Sequence, residues 1–249
     1  MAMELNTVLS PTIWAIVPMK GPGKGSKQRL ASALSATARE ALSRAMLEDV
    51  LEQLACLSVL DGILLVSGDS DLQALEACYP VTFFPEPADN SEGLNGAVTA
   101  AAQHLAKLGV GTALVVHGDL PLLDPDELER LLLHHGVDGE TPRVTLVPDD
   151  QGSGTNALVV TPPLALPFSY GCNSLKHHCQ LAEEQKLAVT IFSSKTLALD
   201  IDTPGDLHCL ASYCDADPAL RQRRSCRLLE NLNLWPLCPP MSASNPPLL

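Results

Sequence analysis

The chain has few basic residues and no long apolar run. Lys and Arg number 16 against 29 Asp and Glu, a formal charge of −13. That balance repels polyanions unless the cations are gathered in one place, and it argues against duplex nucleic acid as the main partner. No stretch approaches the ~18 apolar residues of a membrane span, and no charged n-region leads into an uninterrupted apolar segment. The expectation is a cytoplasmic protein with no membrane partner. The eight cysteines include no C-x-x-C pair, so reduced thiols are the simplest reading. No internal repeat is present. At 249 residues, 46% hydrophobic and 18% charged, the chain can bury roughly 70% of its unfolded surface without a disulfide or metal staple.

What is present is an alternation of buried strands and helices. Thr12-Ile-Trp-Ala-Ile-Val-Pro18 is a nearly continuous apolar run, the mark of a strand covered on both faces. Similar runs recur at 62–67, 112–116, 143–147 and 157–161, with a weaker one at 81–84. Ser35 reads as an N-cap, and Ala38, Ala41, Leu42, Ala45, Met46, Val50, Leu54 and Leu57 keep helical spacing after it. Further helices are expected at 71–78, at 94–108 with Gly109 as the stop, and at 125–135 with Pro at the first turn. The class is α/β, a mostly parallel sheet flanked by helices.

Past Thr161 the pattern predicts loops, a helix at 175–185 and strands at 188–192 and 197–201, together a small appended lobe. The expected organisation is a leader at 1–11 and one domain at 12–212. Within it, the two halves are 12–150 and 151–212. Residues 213–249 read as a Pro-rich, partly disordered tail with one helix at 218–230. The tail's Arg221, Arg223, Arg224 and Arg227 read as a solvated charged face or a contact for an acidic partner.

The first strand runs into Met19-Lys-Gly-Pro-Gly-Lys-Gly-Ser-Lys-Gln-Arg29, so Lys20, Lys24, Lys27 and Arg29 fall within ten positions. In an open α/β sheet this loop leaves the carboxyl end of the strand, where ligands bind, and its glycines let backbone N–H groups approach an anion. A triphosphate suits it; a solvated surface loop is the alternative. The glycines fit neither G-x-x-x-x-G-K-[ST] nor G-x-G-x-x-G. Asp119, in V-H-G-D-L-P-L-L, follows a core strand and is placed either to hold a divalent cation or to cap a turn. Asp200 and Asp202, two apart on the expected strand, would present two carboxylates to one side, an arrangement that calls for a cation such as Mg²⁺.

Gly93 and Asn95 open the alanine-rich helix, where they either receive the nucleotide's base or ribose or simply cap. The loops carrying Thr155 and Asn156, and Gly171 and Ser174, can donate hydrogen bonds to a small anion without adding charge. Cys172, His177, His178 and Cys179 match no zinc spacing.

The ordered set V-P-x-K, K-x-R-L, D-x-x-x-G-L-N, G-D-L-P-L-L, G-x-G-T, Y-G-x-x-S and D-I-D-T-P-x-D-L, spanning about residues 12–212, resembles the CofC/FbiD family. These are the guanylyltransferases of deazaflavin coenzyme F-420 biosynthesis. The resemblance implies a GT-A-like nucleotidyltransferase fold, similar to that of the molybdenum-cofactor guanylyltransferases. It implies transfer of GMP from GTP to 2-phospholactate, phosphoenolpyruvate or 3-phosphoglycerate with release of pyrophosphate. It further implies Lys20, Lys27 and Arg29 at the phosphates, Mg²⁺ on Asp119, Asp200 and Asp202, GTP at Gly93 and Asn95, and the acid at Gly171, Ser174 and Thr155 or Asn156. A homodimer is compatible with it. The competing readings are a molybdopterin or sugar-phosphate nucleotidyltransferase and a non-catalytic nucleotide-binding module. The Y-G-C-N-S loop and D-I-D-T-P segment weigh against the first, and the three carboxylates against the second.

Overall fold

The computed structural model describes residues 12–20, 27–136 and 141–233. The apolar runs become strands β1 Ile13–Pro18, β2 Gly62–Ser67, β3 Thr82–Pro85, β4 Thr112–Val116, β5 Arg143–Pro148, β6 Thr155–Thr161 and β7 Ala188–Ile191. They form one seven-stranded sheet in the order β3-β2-β1-β4-β6-β5-β7. All pairings are parallel except those of β6, which runs antiparallel to both β4 and β5.

Helix α1 Ala36–Ala55 starts where expected, with the Ser35 hydroxyl accepting from the Ala38 N–H. Asp124 caps α3 Pro125–His135, and α2 Leu94–Lys107 is followed by Gly109 at φ 77, a conformation glycine adopts without strain. On one face of the sheet, Ile13, Ala15 and Val17 of β1 pack against Leu47, Val50 and Leu54 of α1 and Leu128 and Leu131 of α3. On the other, Ile16 packs with Val98, Ala101 and Leu105 of α2. Coverage on both faces is why β1 and β4 read as unbroken apolar runs rather than alternating ones.

The structure departs from expectation at three places. Residues 71–78 lie in a 3-10 run, Ser70–Ala77, rather than an α-helix. The expected strand at 197–201 is absent. Ser194 caps a short helix, α5 Lys195–Ala198, and the chain then runs extended without joining the sheet. Its backbone groups go elsewhere: Asn156 donates to the carbonyls of Leu197 and Ala198, Asp150 N–H also reaches Ala198, and Ile201 N–H reaches the Asp119 carbonyl. The stretch read as a lobe adds α4 Ser174–Glu184 and β7 to the edge of the same sheet.

The third departure is the segment read as tail. Helix α6 Pro204–Ala216 continues past the expected boundary, and α7 Arg224–Asn231 follows a 3-10 turn and lies against α1. Cys214, Cys226 and Leu229 join Leu30, Leu42, Met46 and Ile201 in a third apolar cluster. Asp49 of α1, fully buried, fixes the junction by accepting from Arg224 N–H (2.7 Å), Ser225 N–H (2.9 Å) and Ser225 Oγ (2.5 Å). Arg224 also pairs with Glu48 and Glu52, and Arg221 with Asp215, so much of this basic run answers charges of its own chain. The leader at 1–11 and residues 234–249 lie outside the described residues.

Asp49→Ala leaves the first N–H groups of α7 without their buried acceptor. It should cost about 1–3 kcal/mol and lower the melting temperature, and hydrogen exchange should become fastest in α7. An unchanged melting curve would show that α7 contributes nothing to the domain.

Candidate active site

A cavity of about 350 Å³ opens at the carboxyl ends of β1 and β4. From β1 the chain winds outward through β2 and β3, then returns to place β4 on the other side of β1. This is a topological switch point, where the connections diverge and leave a crevice. Lys20 follows β1, His117, Gly118 and Asp119 follow β4, and Leu94 starts α2; all line the cavity together with Lys27 and Asp202.

Lys27 is the centre of this geometry. Its backbone is left-handed (φ 53) and its side chain is only 9% exposed. Nζ donates to Asp119 Oδ2 at 2.6 Å and to Asp202 Oδ1 at 2.7 Å. Burial by itself would lower the ammonium's pKa, but Asp119 and Asp202 outweigh it and hold the group up at about 12. Arg29 stands further out, 75% exposed, with Nη1 3.8 Å from Asp202 Oδ2.

Asp200 and Asp202 do share a side, though not on a strand. Leu199 before them and Ile201 between them are buried, so the extended backbone alternates without a ladder. Asp206, at the first turn of α6, accepts from the N–H groups of Asp202 and Thr203 and fixes this corner. Asn156 donates to Asp200 Oδ1 at 3.3 Å. One oxygen each of Asp119, Asp200 and Asp202 lies within 4.8 Å of the others, the only such group of three ligand side chains among the described residues.

The carboxylates are not electrically balanced by the protein. Burial, with Asp119 and Asp202 nearby, pushes Asp200 up to about 6. Burial also opposes ionisation of Asp119, but Lys27 and His117 hold its carboxyl below the usual range. Asp119 Oδ1 is nevertheless buried without a partner. Three hard oxygen donors, one of them unsatisfied, fit a divalent cation such as Mg²⁺.

The other expected residues divide. Lys20 reaches the cavity wall, and Gly93, at φ 58, precedes α2 beside it. Asn95 instead latches α2 to the loop after Phe168, donating to the Tyr170 carbonyl and accepting from its N–H at 2.6 Å. Thr155, Asn156 and Ser174 are buried and bonded within the protein rather than set into the cavity wall: Ser174 Oγ donates to Thr155 Oγ1, and Asn156 holds α5 and Asp200. Gly171, at φ 125, has open space where a side chain would sit. Lys24 and glycines 21, 23 and 25 lie outside the described residues.

The sequence gives no role to His117, names His178 only to set zinc aside, and marks Tyr170 only as the start of the Y-G-x-x-S motif. His178 accepts from Ser169 N–H at Nε2 and meets Thr155 Oγ1 at Nδ1; burial and neighbouring histidines push it down to about 4, a neutral strut and not a metal ligand. His117 lines the cavity and its ring lies 5.1 Å from that of Tyr170. His117 could have been flagged by position alone, since it is the first residue beyond a core strand at its carboxyl end.

A model of the family described as guanylyl transferase CofC like matches residues 13–222. The chain is 40% identical over 198 residues to the phosphoenolpyruvate guanylyltransferase of Conexibacter woesei, covering 79% of this chain and 86% of that one. It is 34% identical over 196 residues to the 3-phospho-D-glycerate guanylyltransferase of Colwellia psychrerythraea, covering 79% and 90%. Among solved structures, a Desulfovibrio desulfuricans G20 protein assigned as a nucleotide-diphospho-sugar transferase superposes with a TM-score of 0.70 at 16% identity, over 89% of this chain and 95% of that one. The CMP:2-keto-3-deoxy-manno-octonic acid synthetase complexed with CTP gives 0.56 at 11%, over 83% and 99%. These two likenesses concern the fold alone: a mixed sheet with flanking helices.

Because Lys27 occupies the oxygens a cation would use, Lys27→Met should lower the melting temperature in EDTA and raise the affinity for Mn²⁺ alone, read by electron paramagnetic resonance. Equal or weaker Mn²⁺ binding would mean that the two do not compete. A second expectation concerns Asp200, whose pKa rises from 3.8 to about 6 on folding. Between those values the folded protein holds a proton the unfolded chain has lost, so stability falls as pH rises through this window and stays lowered above it. In EDTA at pH 8, Asp200→Asn should therefore melt roughly 2–4 °C higher, the effect of about 1 kcal/mol in a chain of this size. The advantage should shrink as the pH is lowered from 6 towards 4.

Proposed function

The chain belongs to the CofC-like guanylyl transferases, and from that premise we propose that it transfers GMP from GTP to the phosphate of a small phosphorylated carboxylic acid, releasing pyrophosphate, in coenzyme F-420 biosynthesis. Phosphoenolpyruvate is the acceptor we favour, on the name of the relative sharing 40% identity. The observation that carries the reading is the convergence of Lys27, Asp119 and Asp202 at the mouth of a cavity also lined by Lys20. The seven unpaired thiols among the described residues support a reducing, cytoplasmic setting.

The chemistry suits this inventory. An oxygen of the acceptor phosphate attacks the α-phosphorus of GTP, and the bond from that phosphorus to the bridging oxygen of the β-phosphate breaks. The acceptor, with a second pKa of about 6, is already an anionic nucleophile at neutral pH, so no general base is needed. The enzyme has to position two polyanions in line and neutralise their charge. Lys20, Lys27 and Arg29 supply positive charge from one side. Asp119, Asp200 and Asp202 would hold Mg²⁺, which when bound adds charge neutralisation and orients the phosphates. Asp206 and Asn156 keep the carboxylates in place.

The test is pyrophosphate release from GTP and Mg²⁺ with each of 2-phospholactate, phosphoenolpyruvate and 3-phosphoglycerate. Turnover should be fastest with phosphoenolpyruvate and should vanish in EDTA. Asp119→Asn and Asp202→Asn should each lower it by about a hundredfold or more. Full activity in EDTA, or wild-type rates from both variants, would overturn the cation role of these carboxylates, and no turnover with any of the three acids would leave only a nucleotide-binding protein.

A further inference from the structure

Every charged side chain that lines the cavity has a task in the reaction proposed above, and one polar ring on the same wall has none. His117 lies one residue past β4, a strand buried along its whole length, and two before Asp119. Its backbone N–H donates to the Asn156 carbonyl at 3.2 Å, which ties it to the start of β6. Among the described residues its Nε2 is one of five buried side-chain polar atoms with no hydrogen-bond partner. An atom left so calls for a use.

Packing holds the ring in place. It tilts against Tyr170, with 5.1 Å between centroids. Tyr170 is fixed in turn, since Asn95 takes both its backbone groups and His178 meets its ring edge-on at 5.0 Å. The Tyr170 hydroxyl is also buried without a partner, so this residue backs His117 as a ring and not as a hydrogen-bonding group. His117 therefore stands between the loop that enters α4 and the cavity that holds Lys27, Asp119 and Asp202.

Burial pushes the imidazole's pKa down; Lys27 adds to this, and Asp119 and Asp202 oppose it. An uncharged ring carries one N–H and cannot balance the carboxylates, and it lies outside the three oxygens that converge for a cation. A fixed, neutral donor in a site of charged groups suits an oxygen whose negative charge grows during reaction. The transferred group is the part of either substrate that must lie where nucleotide and acceptor meet, and His117 adjoins both sides of the site.

We propose that the His117 imidazole donates its N–H to a non-bridging oxygen of the α-phosphoryl group as that group passes from GTP to the acceptor. This rests on the guanylyl-transfer reading above. The bond from the α-phosphorus to the bridging oxygen of the β-phosphate is exchanged for one to the acceptor oxygen, while no bond to His117 forms or breaks and its proton stays on the ring. The contacts of the acceptor acid are unaffected.

His117→Phe should lower kcat by about a hundredfold or more, the effect of removing one such donor, with the KM values for GTP and acid little changed. An amide should restore part of the rate, from His117→Asn if the Nδ1 position donates and from His117→Gln if Nε2 does. The readout that a structural role would not move is the thio effect. Sulfur accepts hydrogen bonds poorly, so the rate ratio of GTP to one diastereomer of its α-thio analogue should fall about ten- to a hundredfold in His117→Phe, the worth of one hydrogen bond to a charged group. The ratio for the other diastereomer should stay as in the wild type. His117→Ala carries the same readings should the Phe variant not fold. A kcat within twofold of wild type, or thio ratios unchanged for both diastereomers, overturns the proposal. Absence of turnover in the wild type with every acid overturns the guanylyl-transfer reading instead, and the assignment with it.

Discussion

The ammonium of Lys27 joins parts of the chain that are 92 and 175 residues apart, and the active-site geometry depends on that junction. The loop after β1, the end of β4 and the corner before α6 meet at one atom. Such an ion cluster, largely out of water, is a doubtful source of net stability, because stripping water from the charges offsets their attraction. What it supplies is registry. With three carboxylates against one well-buried ammonium, the cluster holds its shape while keeping an excess of negative charge, the property on which the proposed cation site rests.

Each side chain of the site is in turn held by a residue from another element. Asp206 of α6 fixes Asp202, Asn156 of β6 fixes Asp200 and α5, and Asn95 of α2 fixes the loop bearing Tyr170. The sheet positions the strand ends, and this outer set of hydrogen bonds turns those positions into aimed groups. Several of the polar residues between 155 and 178 belong to this outer set rather than to the cavity wall.

That division explains what could be read from the chain. The strands and principal helices were legible because β1 and β4 are covered on both faces and α1 keeps its period over 20 residues. The convergence of Asp119, Asp200 and Asp202 was legible in part, because one follows a core strand at the ligand-binding end of the sheet and the other two alternate about a buried Ile. The failures share one cause. Periodicity tells which residues are buried, not which partner buries them. Leu199 and Ile201 alternate like a strand although the neighbouring carbonyls bond to the Asn156 amide instead of a ladder. A helix is expected at 218–230 and α7 occupies part of that stretch, but its seat on α1 is not legible because its anchor Asp49 lies 175 residues away. The unpaired atoms of His117 and Tyr170 are visible only once the chain is folded.

The third apolar cluster gives this arrangement an order in time. Leu30, beside Lys27 and Arg29, and Ile201, between the two later carboxylates, are seated in the same cluster as Cys226 and Leu229 of the last described helix. During synthesis the corner carrying Asp202 and the helix that backs it both follow β7, the last strand of the sheet, so the three carboxylates can meet only after every strand has been made.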